Sequence, residues 1–139
     1  MIDKFGNVFY LIIFLVHFAG IGIYAFQTLV GTKKFLKKFG IDKSGAVVLR
    51  FAGSFMLAIF LMSIYVGFIR PGGLNATWAF FNLVFISNVC VLLGNYYSIK
   101  IDKTGVNKKT GVEGIYAPLT FTILSAILIY GLADKIYVY

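Results

Sequence analysis

Apolar residues along this chain fall into four long runs separated by short polar connectors. The first lies near 8–30, with no charged side chain between Lys4 and Lys33 if His17 is neutral. The second lies near 46–69 and is uncharged from Phe51 to Ile69. The third lies near 76–98, inside the charge-free interval between Arg70 and Lys100, and the fourth near 116–132, between Glu113 and Asp134. A helix needs about 20 residues to cross a hydrocarbon core roughly 30 Å thick, and shorter spans of about 17 occur. The runs show no period-two alternation, so they read as helices that satisfy their own backbone in lipid. Pro118 is then expected in the first turn of the fourth helix, where its missing N–H costs little. The predicted fold is all-α, a four-transmembrane-helix bundle forming one domain over 1–139.

Composition agrees. The chain is 60% hydrophobic and 13% charged, with a mean hydropathy of +0.89. A soluble domain of 139 residues cannot hide that much apolar surface. The first run is too long for a leader h-region, and no small-residue cleavage site follows it, so no cleavable signal is expected.

Charge sets an expected orientation. The connector after the first run carries Lys33, Lys34, Lys37, Lys38 and Lys43, with Arg50 one turn into the second run. The connector after the third carries Lys100, Lys103, Lys108 and Lys109. These positions share one face and hold ten of the thirteen basic residues; Lys4, Arg70 and Lys135 remain for the other face. Positive-inside bias places both basic loops in the cytoplasm and both termini outside, in a plasma (inner) membrane. Tyr10, Tyr65, Trp78 and Tyr130 then fall near the outer boundary, and Tyr96, Tyr97 and Tyr116 near the inner one. The net charge of +8 points to a membrane surface and not to nucleic acid, because the basic residues form no stripe on a soluble face.

The two basic connectors share a motif, Ile41–Gly45 (IDKSG) and Ile101–Gly105 (IDKTG), sixty positions apart. Either a two-helix hairpin was duplicated, or both sites use the same turn chemistry, with Asp capping and Gly in a left-handed position. In the stretch KKFLKKFGI, Lys33, Lys34, Lys37 and Lys38 are interleaved with Phe35, Leu36, Phe39 and Ile41. It is either a basic connector or an interfacial segment with its apolar side down and lysines toward anionic headgroups.

Polar residues inside a span are costly and face protein or water. On the first span His17, Gly20, Tyr24, Gln27 and Thr28 share a face at about 100° per residue. Arg50, Ser54, Ala58 and Tyr65 form the second stripe, Asn88 and Asn95 the third, and Thr122, Ser125 and Ala126 the fourth. Counting about 1.5 Å per residue puts His17, Asn88, Ala58 and Ser125 near the midplane, and Gln27, Arg50, Asn95 and Thr120 in a second layer nearer the cytoplasm. A polar cavity bounded by His17, Tyr24, Gln27, Arg50, Asn88, Asn95 and Ser125 is therefore one expectation. Helix–helix hydrogen bonding by the same groups is the other.

Several chemistries are disfavoured. One histidine cannot hold a haem through two histidines of this chain, and His17 with Cys90 makes a poor zinc site. No acidic residue lies within the four expected spans, where an ion-coupled transporter usually carries one. No phosphate-binding glycine loop, zinc-protease motif or triad constellation occurs. No metal or cofactor is predicted, although a bound lipid or quinone fits the cavity expectation.

The first half of the chain, with GIGIYAFQTLVGTKKFLKKFGI followed by VLRFAGSFMLAIFLM, resembles small four-helix membrane proteins of the DoxX-like group. The matching positions are Gly20, Gly22, Gly40, Arg50 and Gly53, and the long connector 99–115 departs from the group's pattern. The resemblance implies a fold more than an activity. The expected function is a non-enzymatic polytopic membrane protein, an accessory or structural subunit that meets lipids, anionic headgroups and other membrane subunits or copies of itself. The alternatives are small-molecule or ion transport through the polar cavity, and a quinone- or lipid-handling enzyme component. That last role lacks an identifiable reactive group.

Overall fold

The computed structural model describes residues 2–138, and among these every regular element is helical. Four helical stretches are long and apolar enough to cross a membrane: Val8–Leu29, Lys43–Ile69, Trp78–Asp102 and Glu113–Gly131. Their α-helical parts are α1 (Val8–Leu29), α3 (Ala46–Ile64), α4 (Trp78–Tyr96) and α5 (Glu113–Gly131); α2 (Thr32–Phe39) and α6 (Ala133–Ile136) are shorter. The Asn7 side chain starts α1 by accepting from the Tyr10 N–H. The second and third spans both end in wide π turns, where Arg70 N bonds Tyr65 O and Lys103 N bonds Ser98 O.

Packing follows the order α3–α1–α5–α4. Neighbours run antiparallel: Thr28 faces Gly53 and Phe14 faces Gly67, while Gly20 faces Phe121 and Gly131 faces Tyr10. A Cβ on Gly53 would overlap the Thr28 hydroxyl, and one on Gly131 would overlap the Tyr10 ring. These glycines bring the backbones together where lipid offers no hydrophobic drive. Although α3 and α4 are consecutive, their backbones barely meet; α4 reaches α1 through rings, with Phe18 stacked on Phe80 at 5.6 Å and Phe14 6.3 Å from Phe81.

The densest core lies toward the end that carries Lys4, Arg70 and Lys135. Phe5, Phe14, Phe18, Leu74, Phe81, Leu132 and Ile136 are buried there. The lipid-facing wall is apolar, with Phe51, Phe55 and Leu61 exposed on α3 and Leu83, Ile86 and Leu93 on α4.

Pro118 departs from expectation. Because α5 begins at Glu113, Pro118 lies beyond the first turn, at the sixth helical position. Glu113 also becomes part of the span, three residues before its expected start.

Candidate functional site

Three of the seven cavity candidates come together in the middle of the bundle. Asn88 Nδ2 on α4 donates to Ser125 Oγ at 3.0 Å and to the Phe121 carbonyl at 3.3 Å, and lies 3.2 Å from His17 Nε2. Ser125 in turn donates to the carbonyl of Phe121 on its own helix. His17 is fully buried, with Phe18 and Phe121 edge-on to its ring at 4.6 and 5.6 Å. Its Nδ1 has no hydrogen-bond partner. One amide thus joins α1, α4 and α5. The Ser125 hydroxyl is directed at a carbonyl and not at the imidazole, so the nucleophile–base contact of acyl transfer is not formed here.

The other four candidates lie toward the lysine-rich end in separate contacts. Tyr24 donates to Glu113 Oε1 at 2.7 Å. Arg50 Nε donates to Thr32 Oγ1 at 3.2 Å, and Thr32 passes its own proton to the Thr28 carbonyl at 2.7 Å. Asn95 Nδ2 donates to the Gly114 carbonyl at 2.7 Å. Gln27 is half-buried and makes no side-chain hydrogen bond to another described residue.

The lysine-rich end is organised by α2. Thr32 and Leu36 are buried, Phe35 and Phe39 half-buried, and Lys33, Lys34, Lys37 and Lys38 exposed. This is the amphipathic pattern of a helix lying along a surface. Gly40 closes α2 in a left-handed conformation (φ 64°), and Ile41 N returns to Leu36 O. Asn107 Nδ2 donates to the Gly40 carbonyl at 2.8 Å, and a Cβ at Gly40 would sit 2.6 Å from Asn107 Oδ1. Lys38 Nζ reaches Glu113 Oε2 at 2.7 Å. The two basic connectors therefore touch at one end of the bundle.

The repeated pentapeptides make the same local bond. Asp42 Oδ1 accepts from Ser44 N at 2.9 Å, and Asp102 Oδ2 from Thr104 N at 3.2 Å. The Ser44 N–H holds the Asp42 carboxyl below its ordinary range. Their settings differ: the first turn leads into α3 with Gly45 right-handed (φ −68°), whereas the second follows the third span with Gly105 left-handed (φ 78°).

Sequence reasoning missed Glu113, the acid that meets Tyr24 and Lys38. An acidic residue opening an apolar run is the signal for a helix N-terminus, and it was present. Among the described residues no group of three or more His, Cys, Asp or Glu is placed to hold a metal ion. Comparison with protein-family models, curated proteins and solved structures finds no match to this chain.

Proposed function

We propose that this chain is a non-enzymatic integral protein of the plasma (inner) membrane that serves as a small accessory or structural subunit of a larger membrane complex. Its lysine-bearing connectors lie in the cytoplasm and its termini on the other side, in keeping with positive-inside bias. The α2 lysines rest on anionic headgroups. The observation that carries this reading is the use of the intramembrane polar groups. Asn88 and Asn95 are engaged in pinning α4 to its neighbours, and their amides are directed at protein acceptors. The apolar wall of α3, which packs chiefly on α1, remains open for lateral association. The DoxX-like resemblance adds a precedent of architecture and no activity.

A photo-crosslinking side chain at Phe55 or Leu61 is expected to give a discrete protein adduct in native membranes, and mild detergent to retain that partner. Lipid adducts alone, together with a lone 15.4 kDa species in detergent, would remove the proposal.

The orphaned Nδ1 of buried His17 favours a second reading, a ligand or transported solute held beside it. On that reading H17A and N88A abolish binding or flux while leaving the fold intact. Loss of stability alone assigns both residues to structure.

A further inference from the structure

The end of the bundle poor in lysine holds three basic residues, Lys4, Arg70 and Lys135, and all three meet one loop, residues 70–76, Lys135 through its backbone carbonyl. Arg70 shapes it: Nη1 donates to the carbonyls of Asn75 at 2.7 Å and Gly73 at 3.3 Å. Ala76 N then bonds Lys135 O at 3.2 Å, tying the loop to α6. Lys4 and Lys135 are both half-buried, and their stems lie over glycines. A Cβ on Gly73 would sit 3.3 Å from Lys4 Cδ, and one on Gly6 would sit 3.6 Å from Lys135 Cε. Gly6 and Gly73 have left-handed φ values of 73° and 55°, so side chains there are disfavoured and the stems keep their beds. Among the described residues neither lysine is within ion-pair distance of a carboxylate.

Between them lies a recess of about 300 Å³ lined by Asp3, Lys4, Pro71, Gly72, Leu74, Asn75 and Lys135. Its floor is buried Leu74, and the third span begins just beyond it at Trp78, so the recess lies at the level of the headgroups. Basic residues on this side oppose the topology that the ten others favour. Three such residues gathered on one loop call for a local use. We propose that this recess binds a phosphate group, through Lys4 and Lys135 as charge partners and Asn75 as a neutral donor. The group belongs either to a phospholipid of that leaflet or to a small soluble phosphate. Asp3 sits on the rim and weakens an anion's binding, which limits the site to modest affinity.

The test uses the full chain in a non-ionic detergent, where no orientation is assumed, so its outcome is independent of the accessory-subunit reading. Inorganic phosphate binding is followed by phosphorus NMR, and phosphatidylglycerol retention by native mass spectrometry. The double variant K4A/K135A is expected to bind at least about tenfold more weakly in whichever arm shows binding, while K108A/K109A, at the other end and outside α2, does not change. K4R/K135R should retain binding, and D3N should tighten it, a gain that a purely structural role for these residues does not produce. Binding in the inorganic arm identifies a soluble phosphate, and binding in the lipid arm alone identifies a headgroup; either result upholds the site. No binding in either arm, or equal loss in K108A/K109A and K4A/K135A, overturns it.

Discussion

Asn95 Nδ2 donates to the carbonyl oxygen of Gly114 at 2.7 Å, and Pro118 is the reason that oxygen is open to it. An α-helical carbonyl accepts from the N–H four residues on. Residue 118 is proline and has none, so the half-buried Gly114 carbonyl needs another donor. The amide of a neighbouring helix supplies it, and α4 is held to α5 at the lysine-rich end.

Removing that donor has a cost that depends on the proline. N95A is expected to lower stability by about 1 kcal/mol, the scale of one intramembrane hydrogen bond whose acceptor is left unpaired. In a P118A background the new N–H satisfies Gly114, and the cost of N95A should fall to a few tenths. Reversible unfolding in bicelles measures the cycle; equal costs in the two backgrounds would separate the two residues.

Close helix contact makes a second test. Thr28 Oγ1 is held by the Tyr24 and Ala25 carbonyls at 2.8 and 3.0 Å, so it cannot swing away from a methyl group at position 53. G53A is expected to destabilise by about 1–3 kcal/mol through overpacking. Nothing lies within 4 Å of a Cβ at Gly94, so G94A should be neutral or stabilise by up to about 1 kcal/mol through helix propensity. Thermal unfolding of the two variants decides; a costly G94A with a silent G53A would contradict the packing.

In the central cluster, Asn88 matters more than Ser125. N88A leaves both His17 Nε2 and Ser125 without their inter-helix contact, at about 1 kcal/mol. After S125A, Asn88 still has the Phe121 carbonyl, and the loss should be half that or less. The reverse order in unfolding measurements would place the hub on α5.

The Lys38–Glu113 pair joins the two basic connectors but is open to solvent, with side chains 55% and 38% exposed. E113Q should therefore cost less than about 1 kcal/mol. The difference should vanish near 1 M salt, where the screening length is about 3 Å. A loss that persists in high salt would assign the effect to the Tyr24 hydrogen bond instead.

Orientation is tested by labelling. With C90S removing the single cysteine, K37C and K108C should react with an impermeant thiol reagent only from the cytoplasmic side, and K135C only from the other. Opposite accessibility of positions 37 and 108 would contradict the contact between Asn107 and Gly40.

What the chain's letters determine by themselves is one-dimensional. Apolar length specifies four spans, because backbone groups in lipid must be satisfied within a helix and that rule is local. The polar faces were legible in part: Asn88 and Asn95, seven residues apart, both turn toward α5, whereas the stripe expected to face inward on the second span, Arg50, Ser54, Ala58 and Tyr65, is exposed, and α3 buries Gly53 and Ser63 instead, because it packs on α1 through its small residues. The start of α5 was not, because Glu113 and Gly114 interrupt the hydropathy while still fitting a helical first turn. Partner choice belonged to the tertiary structure. His17 meets Asn88 across 71 positions, and Asn95 meets a carbonyl freed by a proline on another helix. The order α3–α1–α5–α4, in which the consecutive spans α3 and α4 barely touch, depends on how glycine notches and phenylalanine rings fit together. That fit is set by helix rotation and close packing in three dimensions, and no linear pattern of apolar and polar positions encodes it.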